Sequence, residues 1–175
     1  MISTENQEED DGMLSTPQDG WSWFQLGQKE SFRLSYLTDV ANDWLSQAIH
    51  GLETMDVFSV HGFSEPGRMV CTVSYWSCYV IFEDDGPAPI CEGVNHIHVS
   101  MMDFCKQLYA DISNDLDAWV HWDDSALEDE LDEGDDQGLE ALVQERRIGI
   151  QSKLDQLKRL IEEKEEFFGE EGLFF

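Results

Sequence analysis

The sequence predicts an α+β domain: an antiparallel sheet of about four strands with two amphipathic helices, followed by an acidic loop and a long C-terminal helix. Between residues 31 and 122, period-two and helical hydrophobicity alternate in the order β-α-β-β-β-α. The composition changes abruptly after Trp122, where residues 123–138 hold nine acids and no base. From Leu139 a charged stretch recovers helical spacing.

Residues 1–30 read as an acidic leader with an aromatic segment. They carry seven acids against one Lys and include the turn-prone run Ser15-Thr16-Pro17-Gln18-Asp19-Gly20. Trp21, Trp23, Phe24 and Leu26 then form an aromatic knot, expected to be a strand or docking segment that closes the core. The competing role for the knot is an aromatic anchor for a partner.

The α+β domain spans residues 31–122. Phe32, Leu34 and Tyr36 alternate with Arg33 and Ser35, the pattern of a strand with one buried face. Thr38 is placed to cap a helix whose first turn holds Asp39, at the positive end of the dipole. Val40, Ala41, Trp44, Leu45, Ala48, Ile49 and Leu52 recur at helical spacing, and Gly51 marks the expected end of the helix. Val57 to His61 is a short strand, and Glu65-Pro66-Gly67 a type II turn. Met69, Cys71, Val73 and Tyr75 form the next apolar row, which Trp76, Cys78, Val80 and Phe82 continue after a bulge or bend. Glu83-Asp84-Asp85-Gly86-Pro87 ends that run, and Val94 to Val99 is the last strand.

Ser100 with Asp103 makes a capping-box-like start to the second helix. Met101, Phe104, Cys105, Leu108, Ile112, Leu116, Trp119 and Val120 share one face, while Asp111, Asn114, Asp115 and Asp117 share the other. Residues 123–138 form the acidic linker, which buries little and repels itself. The C-terminal helix and tail occupy residues 139–175. There Val143, Ile150 and Leu157 fall at one heptad position and Leu154 and Ile161 at the other, with Arg147 and Lys164 interrupting the seam. About three heptads are marginal for a free coiled coil, so packing on the domain and a homodimer through this helix both stay open.

Charge and composition restrict the function classes. With 38 acids against 10 bases the formal net charge is −28, which excludes charge-driven binding to nucleic acid or to anionic lipid. Hydrophobic residues make up 41% of the chain, enough for a real core. No basic start and apolar run resembling a secretory signal opens the sequence, and the run from Met69 to Phe82 is too short and too alternating for a membrane helix. Cys71, Cys78, Cys91 and Cys105 form no CxxC pair and sit in apolar segments, so buried free thiols and a cytoplasmic location are expected.

Sites of chemistry are sparse. His96 and His98 would share one strand face, with His61 or Cys91 as further donors, but two such residues do not make a metal site, and no cofactor is expected. The acidic tract lacks the EF-hand register. No GxSxG, Walker A, GxGxxG or HExxH pattern occurs, so the expectation is a protein that is not an enzyme.

The segment Ser35-Tyr36-Leu37-Thr38-Asp39, the helix after it, and Glu65-Pro66-Gly67 before a long strand resemble small bacterial proteins associated with polymorphic-toxin immunity, over about residues 32–120. The resemblance implies a non-catalytic protein that binds and blocks one partner, and it transfers no site residue. The charge points the same way: carboxylates can replace phosphates in a nucleic-acid-binding cleft, steer encounter and bond to Arg. The expected function is therefore an acidic inhibitor of a basic protein partner, a toxin or other nucleic-acid-processing effector, of the immunity or DNA-mimic kind. The alternative is an adaptor subunit of a bacterial or phage defence-related complex, docking through the C-terminal helix. Candidate partner-binding residues are Asp123, Asp124, Glu128, Asp129, Glu130, Asp132, Glu133, Asp135 and Asp136, with Trp119 and Trp122 supplying apolar burial.

Overall fold

Alternating apolar residues bring four strands into one antiparallel sheet in a computed structural model that describes residues 12–27, 30–83, 94–122 and 136–170. The strands are β3 (Phe58–Phe63), β4 (Arg68–Val73), β5 (Cys78–Glu83) and β6 (Val94–Ile97), paired in chain order. Phe58, Val60, Met69, Cys71, Val73, Cys78 and Val80 turn inward from it. A second, two-stranded sheet pairs β1 (Trp21–Phe24) with β2 (Phe32–Ser35). Helices α1 (Val40–Thr54) and α2 (Met101–Asn114) cover the inner face, where Phe104 packs on both Trp44 and Phe58 at ring separations of 6.4 and 5.8 Å. A short α3 (Leu116–Val120) and a long α4 (Asp136–Glu170) complete the α+β fold.

The seam of α4 is used within the chain. Ile150, Leu154, Leu157, Leu160 and Ile161 are buried, and α4 lies against α1, α2 and α3. Arg146 on α4 clasps Asp39 before α1, and Lys153 donates to the Asn42 side chain at 2.6 Å. One continuous apolar cluster runs from Met13 and Phe24 through Trp44 to Leu157. The core therefore draws on Met13, Leu14, Phe24 and Leu26 and on α4 as well as on residues 31–122.

Several local readings are corrected. The α1 cap is Asp39, whose carboxylate accepts from the Asn42 N–H at 3.2 Å, and not Thr38, whose backbone carbonyl accepts from Trp122 Nε1 at 2.9 Å. The helix runs past Gly51 to a left-handed Met55. Gly51 serves close packing, since a Cβ there would lie 2.2 Å from Phe58 Cδ1. The turn at Ser64–Gly67 has a cis Glu65-Pro66 peptide and is not type II, although the hairpin it closes is the expected one. The bend expected near Trp76 is a hairpin turn, with the Ser74 N–H and hydroxyl both donating to the Ser77 carbonyl. Asp115, at φ −119°, divides the second predicted helix into α2 and α3.

Part of the predicted leader is packed into the fold. Met13 and Leu14 are buried, and both backbone N–H groups donate to Asp111 at 2.8 and 2.9 Å. Asp19 and Gly20, at φ 50° and 75°, supply the two left-handed residues of a tight hairpin turn, closed by paired bonds between Gln18 and Trp21.

Candidate interaction surfaces

The structure separates the residues expected to meet a partner. Asp123, Asp124, Glu128, Asp129, Glu130, Asp132, Glu133 and Asp135 lie outside the described residues. Asp136 is exposed in the first turn of α4. Trp119 and Trp122 do not serve as surface anchors: they are 0% and 2% exposed, with ring centroids 5.2 Å apart in the core. Their helical spacing from Leu108 and Ile112 already placed Trp119 on an apolar face, and burial of that face leaves neither ring for a partner.

The treatment of positive charge is more informative than the count of acids. Five of the nine described Lys and Arg residues are ion-paired within the chain: Arg68 with Glu83, Lys106 with Glu165, Arg146 with Asp39, Arg147 with Asp117, and Arg159 with Glu163. Lys153 is turned inward onto Asn42. Four of the ion pairs join elements, three of them α4 to the domain and one β4 to β5, while Arg159–Glu163 lies within α4, and the excess carboxylate is left to solvent. Such a surface carries a potential of one sign, which attracts a cation over roughly one Debye length, about 8 Å at physiological salt.

The outer face of the large sheet has another character. Cross-strand register lines up Ser59, Thr72, Tyr79 and His96, and beside them His61, Val70, Ile81 and Val94. Tyr79 stacks on His96 at 5.0 Å, and His96 meets His98 edge-on at 4.6 Å. Its strand residues include a single carboxylate, Glu83, neutralised by Arg68. The two histidines considered as ligands therefore sit in an aromatic row. Among the described residues no group of three or more His, Cys, Asp or Glu is arranged to hold a metal.

Among the described residues, three side chains are electrostatically perturbed. Burial and the nearby Asp39 carboxylate raise the Asp43 pKa, while His61, Lys153 and Arg146 pull it the other way. Cys71, Cys78 and Cys105 are free and buried. Burial pushes the Cys105 thiol up, and a hydrogen bond with Cys78, then burial, pushes up Cys71. Thiols held in this state are poor nucleophiles.

Two clefts are lined by described residues. One, of about 510 Å³, lies between His121 and the start of α4, at Leu139, Val143 and Arg147. The other, of about 490 Å³, lies beside the first hairpin between Gln18, Asp19, Trp21, Trp23 and Arg33. The sequence offered no sign that Arg33 would stack on Trp21, because that contact depends on the β1–β2 register. Among the described residues no helix is long and apolar enough to cross a membrane. Compared with protein-family models, with curated proteins and with solved structures, the chain matches none.

Proposed function

We propose that this chain is a non-catalytic acidic inhibitor, which binds a basic protein and covers its working surface in the manner of an immunity protein or a DNA mimic. The observation that carries the reading is the disposition of charge. A chain with 38 acids spends five of its scarce bases on internal ion pairs, leaving a solvent-facing excess of carboxylate. Carboxylates so arranged steer a cationic surface into encounter and form charge-assisted bonds with Arg. The tract at residues 123–136 contributes the densest charge of the sequence.

Affinity purification from the native cell at low and moderate salt tests this. A basic protein should co-elute, and its association rate should fall steeply with ionic strength. Inhibition of two unrelated nucleases identifies a DNA mimic, whereas inhibition of a single cognate effector identifies an immunity protein. If replacing the acids of residues 123–136 by their amides leaves binding intact, the tract is not the contact. Turnover by the isolated chain would overturn the reading altogether.

The adaptor reading rests on Phe167, which is 57% exposed near the end of α4 and packs edge-on against Phe168 at 5.3 Å. Deleting residues 139–175 does not test it, because that removes Ile150, Leu154 and Leu157 from the core. Phe167→Ser does: loss of complex formation by a folded variant supports the adaptor, and retention favours the inhibitor.

A further inference from the structure

The cleft beside the β1–β2 hairpin combines three features. Trp23, 51% exposed, presents an indole to solvent directly opposite Arg33 in the strand register. The Arg33 guanidinium lies 3.8 Å from the centroid of the Trp21 ring, and among the described residues it has no carboxylate partner, in a chain where acids outnumber bases nearly four to one. Across the cleft stand Gln18 and Asp19, both exposed and both without a side-chain hydrogen bond among the described residues. The left-handed backbone of the Asp19-Gly20 turn fixes where Asp19 projects.

These groups define a ligand by its chemistry. An anion meets the field of a −28 chain, and a cation meets Arg33, so the occupant carries no net charge. It needs a flat C–H face to lie on the Trp23 indole. It must also accept hydrogen bonds from Arg33 and donate them to Asp19, with Gln18 able to do either. A pyranose has this profile, because each hydroxyl both donates and accepts and the ring presents an apolar face. The cleft, at about 490 Å³, lies within the range of small-molecule sites.

We propose that this cleft is a carbohydrate-binding site in which Trp23 is the stacking platform and Arg33, Asp19 and Gln18 read the hydroxyls. The site is open and offers few polar contacts, so affinity is weak, with Kd of order 1 mM for a mono- or disaccharide.

Saturation-transfer NMR on the intact chain tests the site with glucose, galactose, mannose, N-acetylglucosamine and their β-linked disaccharides, alongside adenosine and uridine. At least one saccharide should give a saturable response. Trp23→Ala should weaken that response about tenfold or more, and Asp19→Asn severalfold. Trp76→Ala, in the β4–β5 turn, should leave it unchanged. Both Trp23 and Asp19 are exposed, so circular dichroism should show each variant folded. Absence of saturable binding by every saccharide, binding of nucleosides alone, or a response undiminished in folded Trp23→Ala would overturn the proposal.

Discussion

Arg146 on α4 grips the carboxylate of Asp39 with both terminal nitrogens, one of them at 2.7 Å from Oδ1, and so ties the long helix to the residue that caps α1. The Arg146 side chain is only 10% exposed and that of Asp39 26%. Removing either partner leaves a charge in a poorly solvated place. Arg146→Met should therefore destabilise the fold by about 2–3 kcal/mol, below the value for a fully buried pair because Asp39 retains some water. Asp39→Asn keeps a competent cap and should cost a similar amount through the orphaned guanidinium. Urea denaturation of the singles and the double should return a coupling of about 1–2 kcal/mol.

Two helical glycines should respond in opposite directions to the same substitution. Gly51→Ala places a methyl group 2.2 Å from Phe58 Cδ1, and Phe58 is itself wedged against Phe104. Overpacking should cost about 1–3 kcal/mol in spite of the better helix propensity. A Cβ at Gly149 in α4 meets nothing within 4 Å. Gly149→Ala should stabilise by about 0.5–1 kcal/mol. Thermal unfolding followed at 222 nm reads both signs.

Those two glycines also show what the sequence discloses. Alternation exposed the strand faces, and the recurrence of Trp44, Leu45 and Ala48 exposed the buried side of α1, because both signals are local. Gly51 looked like a helix end by the same local logic, yet its reason is a phenyl ring brought up by the next strand. The α4 seam was legible as apolar spacing, whereas its choice of the domain over a second copy depended on Arg146, Lys153 and their distant partners. Trp119 followed the apolar face, and its exposure to a partner was an inference from residue type that burial overrules. The Arg33–Trp21 stack was hidden for want of strand register.

Asp43 gives the stability a defined pH response. Its folded pKa is raised, chiefly by partial desolvation and then by Asp39, so the folded chain binds this proton more tightly than the unfolded chain does. Its ionisation thus weakens the fold as pH rises above the ordinary Asp value. Asp43→Asn should stabilise the protein at pH 7, by well under about 1 kcal/mol because the side chain is largely in water. The gain should vanish once pH falls below the ordinary Asp range, where both states are protonated. Urea midpoints of the two proteins measured between pH 3 and pH 7 should converge at the acid end; a constant offset would assign the effect to something other than this proton.

The three buried thiols predict a chemical signature of the intact core. Cys71 and Cys78 lie on adjacent strands, the Cys78 thiol lies 3.4 Å from the Val99 carbonyl, and Cys105 faces the same interior from α2. With the Cys105 and Cys71 pKa values raised and all three sulfurs buried, thiolate is scarce and access is closed. In a Cys91→Ser background, Ellman's reagent at pH 8 should leave all three unmodified in the native protein and titrate three in denaturant. Their labelling rate should rise with urea in parallel with unfolding seen by tryptophan fluorescence, since Trp44, Trp119 and Trp122 occupy the same core. Labelling of any of the three that runs ahead of the fluorescence change would locate a local opening in the strand pair or in α2, and would divide a core that is otherwise continuous.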